Sequence, residues 1–179
     1  AKEKILQLII PVLTGKYNGN KCITFEGKPG VGKTQFVRCI SEALELPFYQ
    51  ISLGGHTDPT LIKGHDYTYI GSNPGFIVKA LSEMECTNGI LFLDELDKLG
   101  VGRKSHEMMN SFLNVIDYTQ NTNFKDCYMP EIKLDLSKLL IIVAVNDISH
   151  VDKILADRLK PVVNFKDYDL NDKVHIALK

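Results

Sequence analysis

Gly27-Lys28-Pro29-Gly30-Val31-Gly32-Lys33-Thr34 satisfies the pattern G-x-x-x-x-G-K-[ST] at every fixed position. The apolar segment Cys22-Ile23-Thr24-Phe25 precedes it and reads as a short strand. Residues 33 to about 44 read as a helix that ends before Pro47. Glycines let the backbone turn its N–H groups inward, where they cradle phosphate oxygens at the positive end of the following helix. In such a loop Lys33 reaches the β- and γ-phosphates, and the Thr34 hydroxyl ligates Mg²⁺. The four fixed positions arise by chance in roughly one chain of this length in a hundred. A glycine-rich hairpin is the bland alternative, and the strand before and helix after argue against it. All eight residues, Gly27, Lys28, Pro29, Gly30, Val31, Gly32, Lys33 and Thr34, are therefore expected to bind nucleotide.

Sixty residues on, Ile90-Leu91-Phe92-Leu93-Asp94-Glu95 is a continuous apolar run ending in two acids, the pattern of a buried parallel strand. Apolar strands often end in acids that merely cap a turn. Beside a phosphate-binding loop, however, Asp94 can hold Mg²⁺ and Glu95 can polarise an attacking water, which favours hydrolysis over simple binding.

Between and beyond these motifs, residues 2–13 carry Ile5, Leu6, Ile9, Ile10 and Leu13 on one helical stripe. A turn over 16–21 follows, and 48–53 is a second strand candidate. The stretch 54–75 is a long loop with room for one short helix, and loops of this length usually carry function. Residues 76–84 read as a helix, and Ser105 can cap another that runs to about 116. A β-hairpin insertion is expected over 120–138, a buried strand over 139–145, a helix over 150–159 and a last strand over 162–165. Strands alternating with helices predict an α/β fold with a parallel sheet flanked by helices. Ligands in such sheets sit beyond the carboxyl ends of the strands. Three of those ends carry polar residues: 27–34, Asp94-Glu95 and Asn146.

Composition narrows the function. At 179 residues, 44% of them hydrophobic, the chain suits one domain with a core, and its net charge of -1 argues against a nucleic-acid surface or a polybasic membrane anchor. The longest apolar runs are too short to span a bilayer, and no secretory signal opens the sequence, so an intracellular, cytoplasmic or organelle-matrix location is expected. The four cysteines are far apart and read as buried apolar residues in a reducing compartment. His106-Glu107 begins like a zinc-protease helix, but Asn110 stands where the second histidine belongs.

Taken in order and with their gaps, these motifs resemble the ATPase (AAA+) module of the Lon protease family. The likeness includes Ile51-Ser52-Leu53-Gly54-Gly55, Lys63-Gly64-His65, Tyr67-Thr68-Tyr69-Ile70-Gly71, Pro74-Gly75 and Leu91-Phe92-Leu93-Asp94-Glu95-Leu96-Asp97-Lys98-Leu99. It continues through Asn123-Phe124-Lys125-Asp126, Asp135-Leu136-Ser137-Lys138 and Asp157-Arg158. The resemblance implies a P-loop NTPase, the large α/β subdomain over 1–179, with 1–20 an N-terminal helix and turn. Residues 166–179 would then begin a connection to a helical lid outside this segment. It implies that Asn146 helps place the attacking water, that Arg158 completes a neighbouring subunit's site, and that Tyr168 and Ile176 pack around adenine. Tyr69 and Ile70 match the pore-loop pair that grips unfolded polypeptide. The implied function is ATP hydrolysis with Mg²⁺, in a homo-hexamer that unfolds and translocates protein substrates for a peptidase. No residue of the segment matches a peptidase nucleophile. Alternatives are a Lon-like remodelling ATPase without a peptidase and a nucleic-acid-acting AAA+ ATPase.

Three departures from the family pattern stand out. Lys28 replaces the first proline of Gly-Pro-Pro-Gly, and Gly54-Gly55-His56-Thr57-Asp58 lacks an arginine. Asp66 occupies a position where arginine is usual, altering the charge near Tyr69.

Overall fold

Residues 140–145 are apolar at every position because the strand they form is covered on both faces. The computed structural model describes residues 2–13, 21–56, 58–99, 103–169 and 172. Within these, β1 (Cys22–Glu26), β2 (Phe48–Ser52), β3 (Ile90–Asp94), β4 (Leu140–Val145) and β5 (Val162–Asn164) form one sheet in the order β2-β3-β4-β1-β5. Every pairing is parallel; Glu26 lies opposite Val145, and Ser52 opposite Asp94.

Side chains alternate between the two faces. Ile90, Phe92, Leu140, Ile142 and Ala144 join Ile5 and Ile9 of α1 (Lys2–Leu13) and Val37 and Ile40 of α2 (Lys33–Leu44). Leu91, Leu93, Ile141, Val143 and Val145 face the other way. They meet Ile62 of α3 (Thr60–Lys63), Ile77 and Ala80 of α4 (Phe76–Met84), Phe112 of α5 (Arg103–Ile116) and Leu155 of α6 (Lys153–Arg158). The result is a three-layer α/β sandwich, and each large buried side chain contributes about 1.5–3 kcal/mol of transfer free energy. Thr24, a polar residue in a central strand, is buried and satisfied because its hydroxyl donates to Leu159 O at 2.7 Å. On the predicted α1 stripe, Ile5 and Ile9 are buried, whereas Ile10 is exposed.

The expected hairpin over 120–138 does not form. Instead, a 3-10 turn at Asn121–Asn123 leads to a single antiparallel bridge, Phe124 to Leu134. Asp126 turns into the protein to accept other bonds, and Pro130 lacks a ladder donor, so pairing stops after one step. The helix expected over 150–159 is split into a 3-10 turn, Ile148–His150, capped by Asp147, and α6, capped by Asp152. Two consecutive aspartate caps, with extended Val151 between, start the chain twice. α5 begins at Arg103, ahead of the expected serine cap, so Ser105 lies in its first turn; Arg103 and Lys104 are good helix formers.

Candidate nucleotide site

β1 feeds α2 on one face of the sheet, and β3 leads to α5 on the other. A crevice therefore opens above the end of β4, which lies between them. A cavity of about 420 Å³ fills it, lined by residues 29–35 with Asp94, Glu95 and Asn146. Gly30 (φ 81°) and Gly32 (φ 84°) take left-handed backbone that side chains rarely adopt, although nothing crowds a Cβ at Gly30. Gly27 is needed for a different reason: a Cβ there would lie 2.8 Å from Phe165 O. Gly32 is the N-cap of α2 and offers no side-chain acceptor, so the helix presents unsatisfied N–H groups to the cavity.

Lys33 is largely buried, and its ammonium donates to Gly27 O, to Lys28 O at 3.2 Å and to Asn146 Oδ1 at 3.2 Å. Burial pushes its pKa below the ordinary lysine value, against the pull of Asp94, Asp97 and Glu95. Asp94 is driven the opposite way. Burial raises its carboxyl pKa, outweighing the backbone donor at Glu95, Lys33 and Thr34. Both groups thus lean toward neutrality, as charges short of a counter-ion do.

The Thr34 hydroxyl lies 3.4 Å from Asp94 Oδ2, which also accepts from Gln50 Nε2 at 3.1 Å. Thr34 and Asp94 are hard oxygen donors of the type Mg²⁺ prefers, and a cation there would relieve the charge burial at Asp94. Uncapped helix N–H groups, two left-handed glycines and Lys33 likewise suit the phosphates of ATP. The residues present fit both.

Glu95 leaves the strand in left-handed backbone (φ 60°) and lines the cavity, yet its carboxylate pairs with Lys98. It lies over Gly54, where a Cβ would overlap Glu95 Oε2. Asn146 is fixed from behind, its N–H donating to Asp97 Oδ2 at 3.1 Å, while Glu26 Oε1 accepts from Ile148 N–H at 3.0 Å. Gln50, Asp97 and Glu26 belong to no chemical motif in the sequence; the one signal is a polar Gln50 between Tyr49 and the buried Ile51. Tyr168 reaches the rim, donating its hydroxyl to Val31 O at 3.0 Å. Ile176 lies outside the described residues.

The structure does not bring Arg158 to this cavity. It ends α6 with its side chain 52% exposed, 3.5 Å from the buried Asp117 carboxylate. Burial raises the Asp117 pKa, but Thr119 and Arg158 outweigh it and the net shift is downward. Tyr69 and Ile70 are also absent from the cavity lining and stand out from the surface, at 70% and 107% exposure. Asp66 has a local use there: its Oδ1 accepts from the Thr68 N–H at 3.0 Å and hydroxyl at 2.8 Å, shaping the turn into Tyr69. Lys28, at another departure, pairs with Asp167 at the surface.

Residues 23–167 match the family described as ATPase family associated with various cellular activities (AAA). The chain is 41% identical over 177 residues to a mitochondrial Lon protease homolog of Candida glabrata, covering 98% of this chain and 17% of that protein. It is equally similar, at 41% over 177 residues, to that of Saccharomyces cerevisiae, with 98% and 15% covered. Identity to that of Caenorhabditis elegans is 35% over 176 residues, with 98% and 18% covered. The likeness to Lon proteases read from the motifs is thus borne out along nearly the whole chain, which spans less than a fifth of the length of these relatives. The family match runs from inside β1 to beyond β5 and so takes in the full width of the sheet; the chain belongs to the AAA family of ATPases.

Proposed function

We propose that the chain is the ATP-hydrolysing motor domain of a Lon-like ATP-dependent protease, and that it couples hydrolysis to unfolding and translocation of protein substrates. The observation that carries this reading is the convergence of the 27–34 loop, Asp94-Glu95 and Asn146 on one cavity. Lys33 exchanges its bonds to Gly27 O, Lys28 O and Asn146 Oδ1 for phosphate oxygens. Thr34 and Asp94 hold Mg²⁺, which neutralises phosphate charge when bound. Glu95 leaves Lys98, turns into the cavity and takes the proton of the attacking water, which Asn146 helps to orient. The water oxygen bonds the γ-phosphorus as the bond from that phosphorus to the β,γ-bridging oxygen breaks, releasing ADP and phosphate. Tyr168 packs against adenine.

Arg158 acts in trans. Its exposure, and its absence from the lining of its own cavity, support a role in the site of the next subunit of a homo-hexamer. Tyr69 and Ile70 grip the polypeptide, since an exposed aromatic-aliphatic tip contacts apolar and backbone surface without regard to sequence. We assign no peptidase residue to this segment. The names of the relatives support an organelle-matrix setting.

The experiment is complementation with polypeptide stimulation. Glu95→Gln and Arg158→Ala are each inactive alone, and mixing them restores ATP turnover, because hybrid interfaces pair an intact Glu95 with an intact Arg158. An unfolded polypeptide accelerates that turnover in the wild type but not in Tyr69→Ala. Wild-type turnover by Arg158→Ala alone would remove the trans role, and turnover indifferent to polypeptide would remove the motor reading.

A further inference from the structure

We infer that Asp126 is a positioning residue that fixes the base of the 64–75 loop and thereby presents Tyr69 and Ile70; this rests on the reading of that loop as the polypeptide grip. The segment after Phe124 crosses the point where the loop leaves and rejoins the fold. On the leaving side, Cys127 N–H donates to Lys63 O at 2.6 Å. On the rejoining side, Gly75 N–H donates to Asp126 Oδ2 at 2.9 Å, while Tyr128 N–H donates to Asp126 Oδ1 at 2.8 Å. The loop is closed just beyond by His65 N–H donating to Asn73 O at 3.1 Å.

Asp126 is 1% exposed. A carboxylate so deeply buried is costly unless its oxygens are bonded, and here each oxygen holds a different segment. Burial raises its pKa above the ordinary carboxylate value, outweighing the backbone donors at Tyr128 and Gly75. The fit around it is tight. Gly64 has φ +75°, and a Cβ there would overlap Asp126 Oδ1; a Cβ at Gly75 would overlap Ile62 O. Gly75 is also the N-cap of α4 and lacks a side-chain acceptor of its own. Asp126 thus joins the last residue of the loop to the start of a core helix.

Asparagine is nearly isosteric but offers one acceptor and a donor amide. Its oxygen stays with the local turn to Tyr128, which Asn makes as readily as Asp, so in Asp126→Asn the bond lost is the one to Gly75. The test uses the 179-residue chain with Mg²⁺ and a non-hydrolysable ATP analogue. Amide exchange is followed at Gly75 and over 66–71, and the affinity for a labelled, reduced and carboxymethylated polypeptide is measured by anisotropy. Nucleotide affinity in the same samples checks that the fold is kept. In Asp126→Asn, Gly75 exchanges at least about 10-fold faster, and probe affinity falls about 10-fold, as in Tyr69→Ala, the scale expected for a lost bond to a charged acceptor. Asp126→Ser, whose short hydroxyl can still serve the local turn to Tyr128 but cannot reach Gly75, changes both readouts in the same direction and serves if Asp126→Asn fails to fold. Unchanged Gly75 exchange overturns the inference, as does wild-type probe affinity in Asp126→Asn beside a loss in Tyr69→Ala. If Tyr69→Ala binds the probe like wild type, the grip reading falls, whereas faster Gly75 exchange still upholds Asp126 as the anchor.

Discussion

The cavity at the strand ends and the loop that carries Tyr69 are built on opposite principles. The cavity hangs from three parallel strands buried on both faces, and its polar groups are cross-braced: Lys33 to Asn146, Asn146 to Asp97, Asp94 to Gln50. The loop carries its tip on local turns, Asp66 to Thr68 and Tyr69 to Ser72, and among the described residues it is bonded to the core at its base. Chemistry that must hold reacting groups within fractions of an ångström needs the first construction. A surface that must contact many sequences and move needs the second.

The largest expected effect tests whether the cavity depends on the sheet beneath it. Phe92, fully buried between β3 and the α1–α2 layer, is predicted to cost about 3–5 kcal/mol when replaced by alanine, measured by denaturant unfolding. A loss below about 1 kcal/mol would mean that the core collapses around the gap and that the rigid half of the comparison is overstated.

Lys33→Ala comes next. Losing a charged donor to phosphate is expected to cost about 1.5–3 kcal/mol of ATP affinity by calorimetry. Because wild-type Lys33 is held below its ordinary pKa by burial, the alanine variant should retain its nucleotide-free fold.

Asp94→Asn should separate stability from function. The folded-state carboxyl pKa lies above its unfolded value, so the native state binds the proton more tightly. Stability is therefore lost as pH rises from the unfolded pKa through the raised folded one, and at neutral pH the charge opposes folding. Removing it is predicted to raise nucleotide-free stability by about 0.5–2 kcal/mol, while abolishing Mg²⁺-dependent stabilisation by ATP. A destabilised Asp94→Asn would show that the bonds from Thr34 and Gln50 outweigh the burial of charge.

The smallest effect belongs to the loop. Tyr69→Ala should change unfolding free energy by no more than about 0.5 kcal/mol, since the ring is mostly solvated. A larger loss would show that the ring packs on its own domain.

The same contrast explains what could be read from the residues. The phosphate loop was legible because its geometry is local: φ near +80° at Gly30 and Gly32 needs glycine whatever surrounds it. β3 and β4 were legible because burial on both faces forces unbroken apolar runs, so the polar residues ending them, Asp94 and Asn146, could be assigned to one edge. The braces were not. Gln50, Asp97 and Glu26 act across neighbouring strands, and Asp126 meets Gly75 from 51 positions away. For the same reason the 120–138 segment was misread: a turn-rich stretch suggests a hairpin, and only the inward turn of Asp126 shows why it stops at one bridge.

The central claim is that the cavity binds ATP through the 27–34 loop and hydrolyses it through Glu95. The direct measurement is ATP affinity and ATP turnover of Glu95→Gln beside wild type, in matched preparations. The account predicts near-wild-type affinity with turnover reduced about 10²- to 10⁴-fold, the scale of a lost general base. Turnover at the wild-type rate in Glu95→Gln would contradict it.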